Sequence, residues 1–153
     1  MAGKQGRYWR GARYLYLRVL RAEGSTGALA RGLAAGVFAG MFPFFGVQTV
    51  MGVGLAFVLR GNKLAAAAGT WISNPFTYAP IYWFNYQIGR QLLGDRAAVT
   101  VDWQSPRQLL QSGVEIARPL LVGCCAIGAI AAIATYGISL RVLPRLRRRS
   151  RGR

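Results

Sequence analysis

The sequence predicts an all-α integral membrane protein with an N-terminal interfacial amphipathic helix, two proline-broken helical hairpins in tandem, and a C-terminal transmembrane helix. Three stretches carry no charged residue, and we call them the first, second and third stretch: residues 32–59, 64–89 and 119–140. Of the 153 residues, 53% are hydrophobic. The basic residues, which bring the formal net charge to +16, crowd into the two ends of the chain and the joints between the stretches. Basic flanks on apolar stretches favour the bilayer and its anionic lipid headgroups over nucleic acid as the partner.

Residues 1–24 are predicted to form a basic amphipathic helix in the membrane interface. On a helical wheel, Trp9, Leu15 and Tyr16 fall on one side, and Arg10 and Arg18 fall on the other. Trp and Tyr prefer the depth of the headgroups, where arginine reaches the phosphates. A soluble amphipathic helix packed on another domain is the alternative. The first residues lack an apolar core like that of a signal peptide, so we expect no cleaved signal.

Residues 25–94 are predicted to form a membrane domain in which prolines break each of the first two stretches. The first is broken at Pro43, with Gly46 close behind, and the second at Pro75, with Pro80 close behind. Proline removes a backbone donor and pushes the preceding residue out of helical geometry. Each stretch is therefore interpreted as two half-helices.

The two broken stretches also resemble each other. Their prolines lie 32 positions apart, from Pro43 to Pro75, and the same offset aligns Arg31 with Lys63. Tandem similarity between interrupted apolar segments points to a binding site near the middle of the membrane. The alternative is that two alanine-rich sequences resemble each other by chance.

The half-helices are too short to cross a bilayer singly, because a helix rises about 1.5 Å per residue and the hydrocarbon core is about 30 Å thick. We expect one broken stretch to re-enter and the other to cross, and an inverted pair is one such arrangement. The sequence leaves open which stretch does which. Gly32, Gly36 and Gly40 form a ridge that lets another helix approach closely and also permits a homo-oligomer.

The remaining segments are predicted as a polar loop with a short amphipathic helix (95–118), a transmembrane helix (119–140) and a basic cytoplasmic tail (141–153). Ser105 and Pro106 suit a helix start. The tail holds seven arginines, which the positive-inside rule keeps in the cytoplasm. With both basic ends inside, the number of crossings is even. Cys124 and Cys125 are neighbours on a helix, so they are interpreted as small apolar residues rather than a disulfide or metal pair.

Several motifs of the membrane domain resemble those of one family. Residues 30–38 read Ala-x-Gly-Leu-Ala-x-Gly-Val-Phe, Gly-Val-Gln-Thr follows Pro43 at 46–49, and residues 69–77 read Gly-Thr-Trp-Ile-Ser-Asn-Pro-Phe-Thr. With these motifs, the segment 25–94 resembles the domain of unknown function 2062 (DUF2062), a family of small bacterial membrane proteins. The resemblance implies the bacterial inner membrane. It also implies a link to lipid-linked sugars, because some members are joined to glycosyltransferase-like domains. It supplies no catalytic residue.

The leading functional hypothesis is the binding or translocation of a phosphate-bearing lipid or polyprenyl carrier. Half-helix N-termini at the breaks present free amides that favour an anion. The candidate ligand-binding residues lie at the breaks and at the mouths of the stretches: Gln48, Thr49, Ser73, Asn74, Thr77, Arg31, Arg60, Lys63 and Arg90. A purely structural role for the polar residues, which would satisfy backbone groups freed by the prolines, is the alternative interpretation.

Two other functional classes were weighed. A non-catalytic membrane adaptor would recruit partners, such as a glycosyltransferase-type enzyme, through its basic ends. An enzyme is not expected, because the chain has no histidine and the apolar stretches contain no paired carboxylates. No cofactor and no metal site is predicted.

Overall fold

The computed structural model describes residues 24–44, 46–74, 76–94 and 106–151, with side chains over the same ranges except that those of the last range are described for 113–147. Every regular element in these residues is helical, as the sequence predicts. The elements are α1 (Thr26–Gly40), α2 (Val47–Val58), α3 (Lys63–Gly69) with a 3₁₀ turn directly after it (Thr70–Ile72), α4 (Tyr78–Leu93) and α5 (Pro106–Arg151). The predicted interfacial helix, Pro75 and most of the loop after α4 lie outside the described residues.

The helices of each broken stretch end and begin on either side of its break. Helix α1 ends at Gly40 and α2 begins at Val47, so Pro43 lies between them. Gly46 precedes α2 with a φ of 82°, in the left-handed region that favours glycine. Pro80 lies inside the first turn of α4, where a missing amide hydrogen costs nothing because that amide has no intrahelical partner.

Helices α1 and α3 lie side by side and parallel, with their backbones in contact. A Cβ atom on Gly32 would overlap the carbonyl oxygen of Asn62, and one on Gly36 would overlap that of Ala66. At the next turn, Gly40 packs on Ser73. The predicted glycine ridge is thus used inside the chain, against α3. Because the matching first halves run parallel, the two stretches do not form an inverted pair.

The long helix α5 joins segments that the sequence analysis separates. It runs from Pro106 to Arg151 without interruption and contains Pro119 and Pro144. Both prolines lie inside this helix, whereas Pro43 lies between α1 and α2. Pro119 is completely buried, and its carbonyl group lies against Gly89 of α4. The close contact between α4 and α5 at Gly89 and Gly123 stabilises the helical conformation of α5 at Pro119.

Contacts along α5 place the other helices at defined heights. Leu143 packs on Leu29 near the start of α1, Gly128 packs on Phe38 near its end, and Gly123 packs on α4. Helix α4 therefore continues beyond the end of α1, along the N-terminal half of α5. Both outer ends of the first stretch lie at one end of the bundle, where the Asn62 amide donates to the Ala28 carbonyl at 2.8 Å. The second stretch starts at that same end and leads away from it.

The interior contains many small and polar side chains beside a few large apolar ones such as Leu29 and Phe42, and many other large apolar side chains are exposed. In α2 the buried residues are Gln48, Gly52 and Ala56, at a spacing of four. Phe57 and Val58 of the same helix are 67% and 75% exposed. Other exposed large side chains include Phe76, Trp83, Ile130 and Ile133. A water-soluble protein of this size normally buries such residues.

Candidate functional site

The two breaks meet through a small polar cluster between α2 and the 3₁₀ turn. The one proton of the Ser73 hydroxyl is shared between the Thr70 carbonyl at 3.2 Å and the side-chain oxygen of Gln48 at 3.3 Å, and Ser73 and Gln48 are both buried. Beside them, the Thr49 and Thr70 hydroxyl oxygens are 3.3 Å apart. Thr70 donates to the Ala67 carbonyl at 2.8 Å, so Thr49 donates to Thr70. The structure thus brings together three predicted site residues and adds Thr70 to them.

Removing the Ser73 hydroxyl tests how the cluster holds the breaks together. Ser73→Ala should lower the free energy of unfolding by about 1–3 kcal/mol, because the buried Gln48 oxygen and the Thr70 carbonyl lose the donor that they share. Adding Gln48→Leu should recover part of that loss, since the buried Gln48 oxygen is then removed as well. Denaturant unfolding in detergent measures both effects. Equal stability of Ser73→Ala and the wild type would contradict a bond between the breaks.

Asn74 and Thr77 build a separate turn that leads into α4. The Asn74 side-chain oxygen accepts from the amides of Phe76 at 2.9 Å and Thr77 at 3.2 Å. In return, the Asn74 amide donates to the Thr77 hydroxyl at 2.9 Å, and that hydroxyl donates to the Ile72 carbonyl at 2.8 Å. These bonds satisfy backbone groups left by the break. They favour the structural interpretation of both side chains.

A second set of polar side chains donates hydrogen bonds to the backbone carbonyls at the end of α1. The Met41 carbonyl accepts from the Cys124 thiol at 2.9 Å and from the Asn85 side-chain amide at 3.2 Å. Next to it, the Tyr82 hydroxyl donates to the Phe42 carbonyl at 3.1 Å. Asn85 is fully buried, and its side-chain oxygen has no hydrogen-bond partner. Cys124 is therefore a hydrogen-bond donor as well as a small buried residue.

The predicted basic residues divide between two places. Arg31 donates to the Arg60 carbonyl at 3.1 Å, and the Lys63 ammonium lies 4.9 Å from the centre of the Phe57 ring. Arg147 reaches the same end of the bundle, where it donates to the Gly24 carbonyl at 2.8 Å. We call this end the basic end. Arg90 lies elsewhere, on α4 with its guanidinium over the Tyr86 ring.

The sequence analysis missed Thr70 and Asn85 as polar members of the interior, and it missed the hydrogen bond that the small, buried Cys124 donates. Each lies in a stretch without charge, where a single polar residue gives little signal. For Asn85 the available signal was its position four residues before Gly89, which places both residues on the same face of α4. That face contacts α5 at both residues.

The comparison with family models supplies the classification. The model described as an uncharacterized protein conserved in bacteria, DUF2062, matches residues 9–152. The chain belongs to the DUF2062 family. No curated protein and no solved structure matches it. The DUF2062 match extends well beyond the segment 25–94 in which the sequence motifs lie, so α5 is part of the family's common unit.

In this DUF2062 chain, one helical segment among the described residues is long and apolar enough to cross a membrane, namely Gly113–Arg147. Only 22% of its most apolar window is buried inside the molecule. The core helix of a soluble protein would be mostly covered by its neighbours.

Proposed function

We propose that this protein is an integral protein of the bacterial inner membrane that binds a phosphate-bearing lipid or polyprenyl carrier. The observation that carries the membrane assignment is the distribution of side chains. Gln48, Ser73 and Asn85 are buried, whereas Phe57, Phe76 and other large apolar side chains face outward. Such an arrangement is stable where hydrocarbon surrounds the molecule and close contacts between small residues hold the helices together.

The contacts along α5 support a topology. Arg118 and Arg141 bracket its apolar part, and a helix rises about 35 Å between them, close to the thickness of a bilayer core. In this arrangement the first stretch enters from the basic end and returns to it. The second stretch crosses through α3 and α4, and α5 crosses back. The basic end then faces the cytoplasm.

The breaks fall within the hydrocarbon region in this topology, because Met41 contacts Cys124 of α5. Irregular backbone is stable at such depth only where protein, water or a ligand forms hydrogen bonds with its polar groups. The Met41 and Phe42 carbonyls, which follow α1, accept hydrogen bonds from the side chains of Asn85, Cys124 and Tyr82. At the N-terminus of α2, which has no side-chain cap, the amides of Gln48 and Thr49 donate to the Phe44 and Gly46 carbonyls at 2.9 and 3.4 Å, and a Cβ atom on Gly46 would meet no atom within 4 Å. The open space at Gly46 and the basic residues at the basic end support an anionic partner, such as a lipid held for or delivered to a glycosyltransferase-type enzyme.

Mass spectrometry of lipids that co-purify with the protein tests the function. We expect a phosphorylated polyprenol or another phosphate-bearing lipid to be retained after delipidating washes that strip a membrane protein of unrelated fold. Retention of bulk lipid in the same proportions by both proteins would contradict specific binding and favour the adaptor.

Cysteine labelling tests the topology. In a Cys124→Ser, Cys125→Ser background, Lys63→Cys should be blocked by a membrane-impermeant thiol reagent only after the cytoplasmic face is opened. Gln91→Cys, at the other end of the second stretch, should be blocked from the periplasm in intact spheroplasts. Labelling of both from the same side would contradict the crossing of the second stretch.

A further inference from the structure

In the joint between α2 and α3, Arg60 adopts a left-handed backbone conformation that favours glycine. Arg60 has a φ of 50° and is the only non-glycine residue with positive φ in the part of the chain that the structure describes. Its amide donates to the Phe57 carbonyl, and the Gly61 amide donates to the Ala56 carbonyl at 2.7 Å. This is the Schellman pattern that ends helices, and its left-handed position normally holds glycine. Arginine there is a local cost to folding, which points to a use for its side chain.

Three basic residues lie at or beside this joint. Arg31 donates to the Arg60 carbonyl at 3.1 Å, and Lys63, three residues after Arg60, begins α3. The Arg31 Nε atom is buried and has no hydrogen-bond partner, so its guanidinium has more donors than the protein uses here. Among the side chains that the structure describes, the one carboxylate is Glu115. Glu115 lies on α5 four residues before Pro119, beyond the crossing with α4, and so at the opposite end of the bundle.

An apolar surface continues directly from these charges. The outer face of α2 exposes Val47, Val50, Phe57 and Val58, each by more than half. The Lys63 ammonium lies over the ring of Phe57, which places a charge at the edge of this face. In the proposed topology the charges lie at the cytoplasmic headgroup level and the apolar face lies in the leaflet below them. The charges thus lie at the level of a lipid headgroup, and the apolar face lies at the level of its hydrocarbon chain.

We propose that Arg31, Arg60 and Lys63 bind the phosphate of an anionic lipid, with its chain lying on the outer face of α2. This site rests on the proposed function, and it places the phosphate at the basic end rather than at the breaks. Arginine suits this task because its planar guanidinium can hold two phosphate oxygens at once, while lysine adds a point charge. The same chemistry would recognise free inorganic phosphate, so the experiment separates the two.

The decisive variant is Arg60→Gly in the full-length protein. In nanodiscs of phosphatidylcholine containing phosphatidylglycerol, native mass spectrometry should show about fivefold weaker retention of phosphatidylglycerol, the effect of one charge near the surface. The melting temperature in a neutral detergent should rise, because glycine relieves the left-handed strain. Lys63→Gln should also weaken retention, and the double variant should weaken it by roughly 25-fold. Arg118→Gln, which removes one charge at the other end of α5, is the matched control and should retain lipid like the wild type.

The outcomes separate the site from the function. Loss of lipid from Arg60→Gly together with a higher melting temperature supports the site, since instability cannot explain it. Unchanged retention in Arg60→Gly and Lys63→Gln, while the wild type still holds a phosphate-bearing lipid, overturns the site and leaves the function standing. A wild type that retains no such lipid overturns both. Displacement of the lipid by millimolar inorganic phosphate overturns the lipid as occupant and assigns the site to free phosphate.

Discussion

Asn85→Asp is expected to destabilise the folded protein by about 3–5 kcal/mol at neutral pH, the cost of leaving a buried charge without a partner. The substitution barely changes the volume of the side chain. It replaces the side-chain amide nitrogen of Asn85, which donates to the Met41 carbonyl at 3.2 Å, with an ionised oxygen. Two hydrogen-bond acceptors then face each other in a fully buried position. Denaturant unfolding in detergent, followed by circular dichroism, measures the loss.

The pH dependence identifies the cause. At acidic pH the introduced carboxyl takes up a proton and regains a donor, so the stability difference from the wild type should shrink as the pH falls. Gln91→Glu, on an exposed position of the same helix, is the control and should change stability by less than about 0.5 kcal/mol. If Asn85→Asp were as stable as the wild type at neutral pH, Asn85 would not hold the end of α1.

Gly123→Ala is expected to cost about 1–3 kcal/mol or more by forcing α4 and α5 apart. A Cβ atom at this position would overlap the carbonyl oxygen of Asn85, which belongs to a helical backbone and cannot move alone. The Met41 carbonyl would lose its contacts as well, because Asn85 and Cys124 lie beside this crossing. Thermal and denaturant unfolding in detergent should both show the loss.

Gly137→Ala is the matched control on the same helix. A Cβ atom there meets no atom within 4 Å. Alanine is a better helix former than glycine, so this variant should be as stable as the wild type or gain up to about 1 kcal/mol. Equal effects of the two substitutions would show that helix propensity, rather than the close approach of α4, governs Gly123.

Much of the local structure could be predicted because it follows from chain chemistry. The helix around Gly36 ends before Pro43, and the next begins at Val47 after Gly46, as the loss of a backbone donor and the need for positive φ require. The boundary that the sequence analysis places between residues 118 and 119 is not a helix end, because α5 runs through Pro119. There the cost of proline is offset by packing on Gly89, a contact between residues far apart in sequence.

The candidate site was predictable only in part. Gln48, Thr49 and Ser73 were selected as candidate ligand-binding residues beside the breaks. In the structure Ser73 bonds to Gln48, and Thr49 bonds to Thr70. The roles of Asn85 and Cys124 depend on which helix lies against the end of α1. Nothing in the residues near Met41 specifies that helix.

By itself, the sequence determined the helical class, the positions of the helix ends at the two breaks and the separation of charged joints from apolar stretches. These depend on backbone donors, side-chain caps and hydropathy, which act over a few residues. Only the tertiary structure decided that the first stretch returns to the end it starts from, that α4 leads away along α5, and that Arg31, Arg60 and Lys63 share one end. The reason is physical, because those arrangements are selected by contacts between backbones at glycines and alanines, whose positions in the sequence show that a close approach is allowed but not which partner makes it.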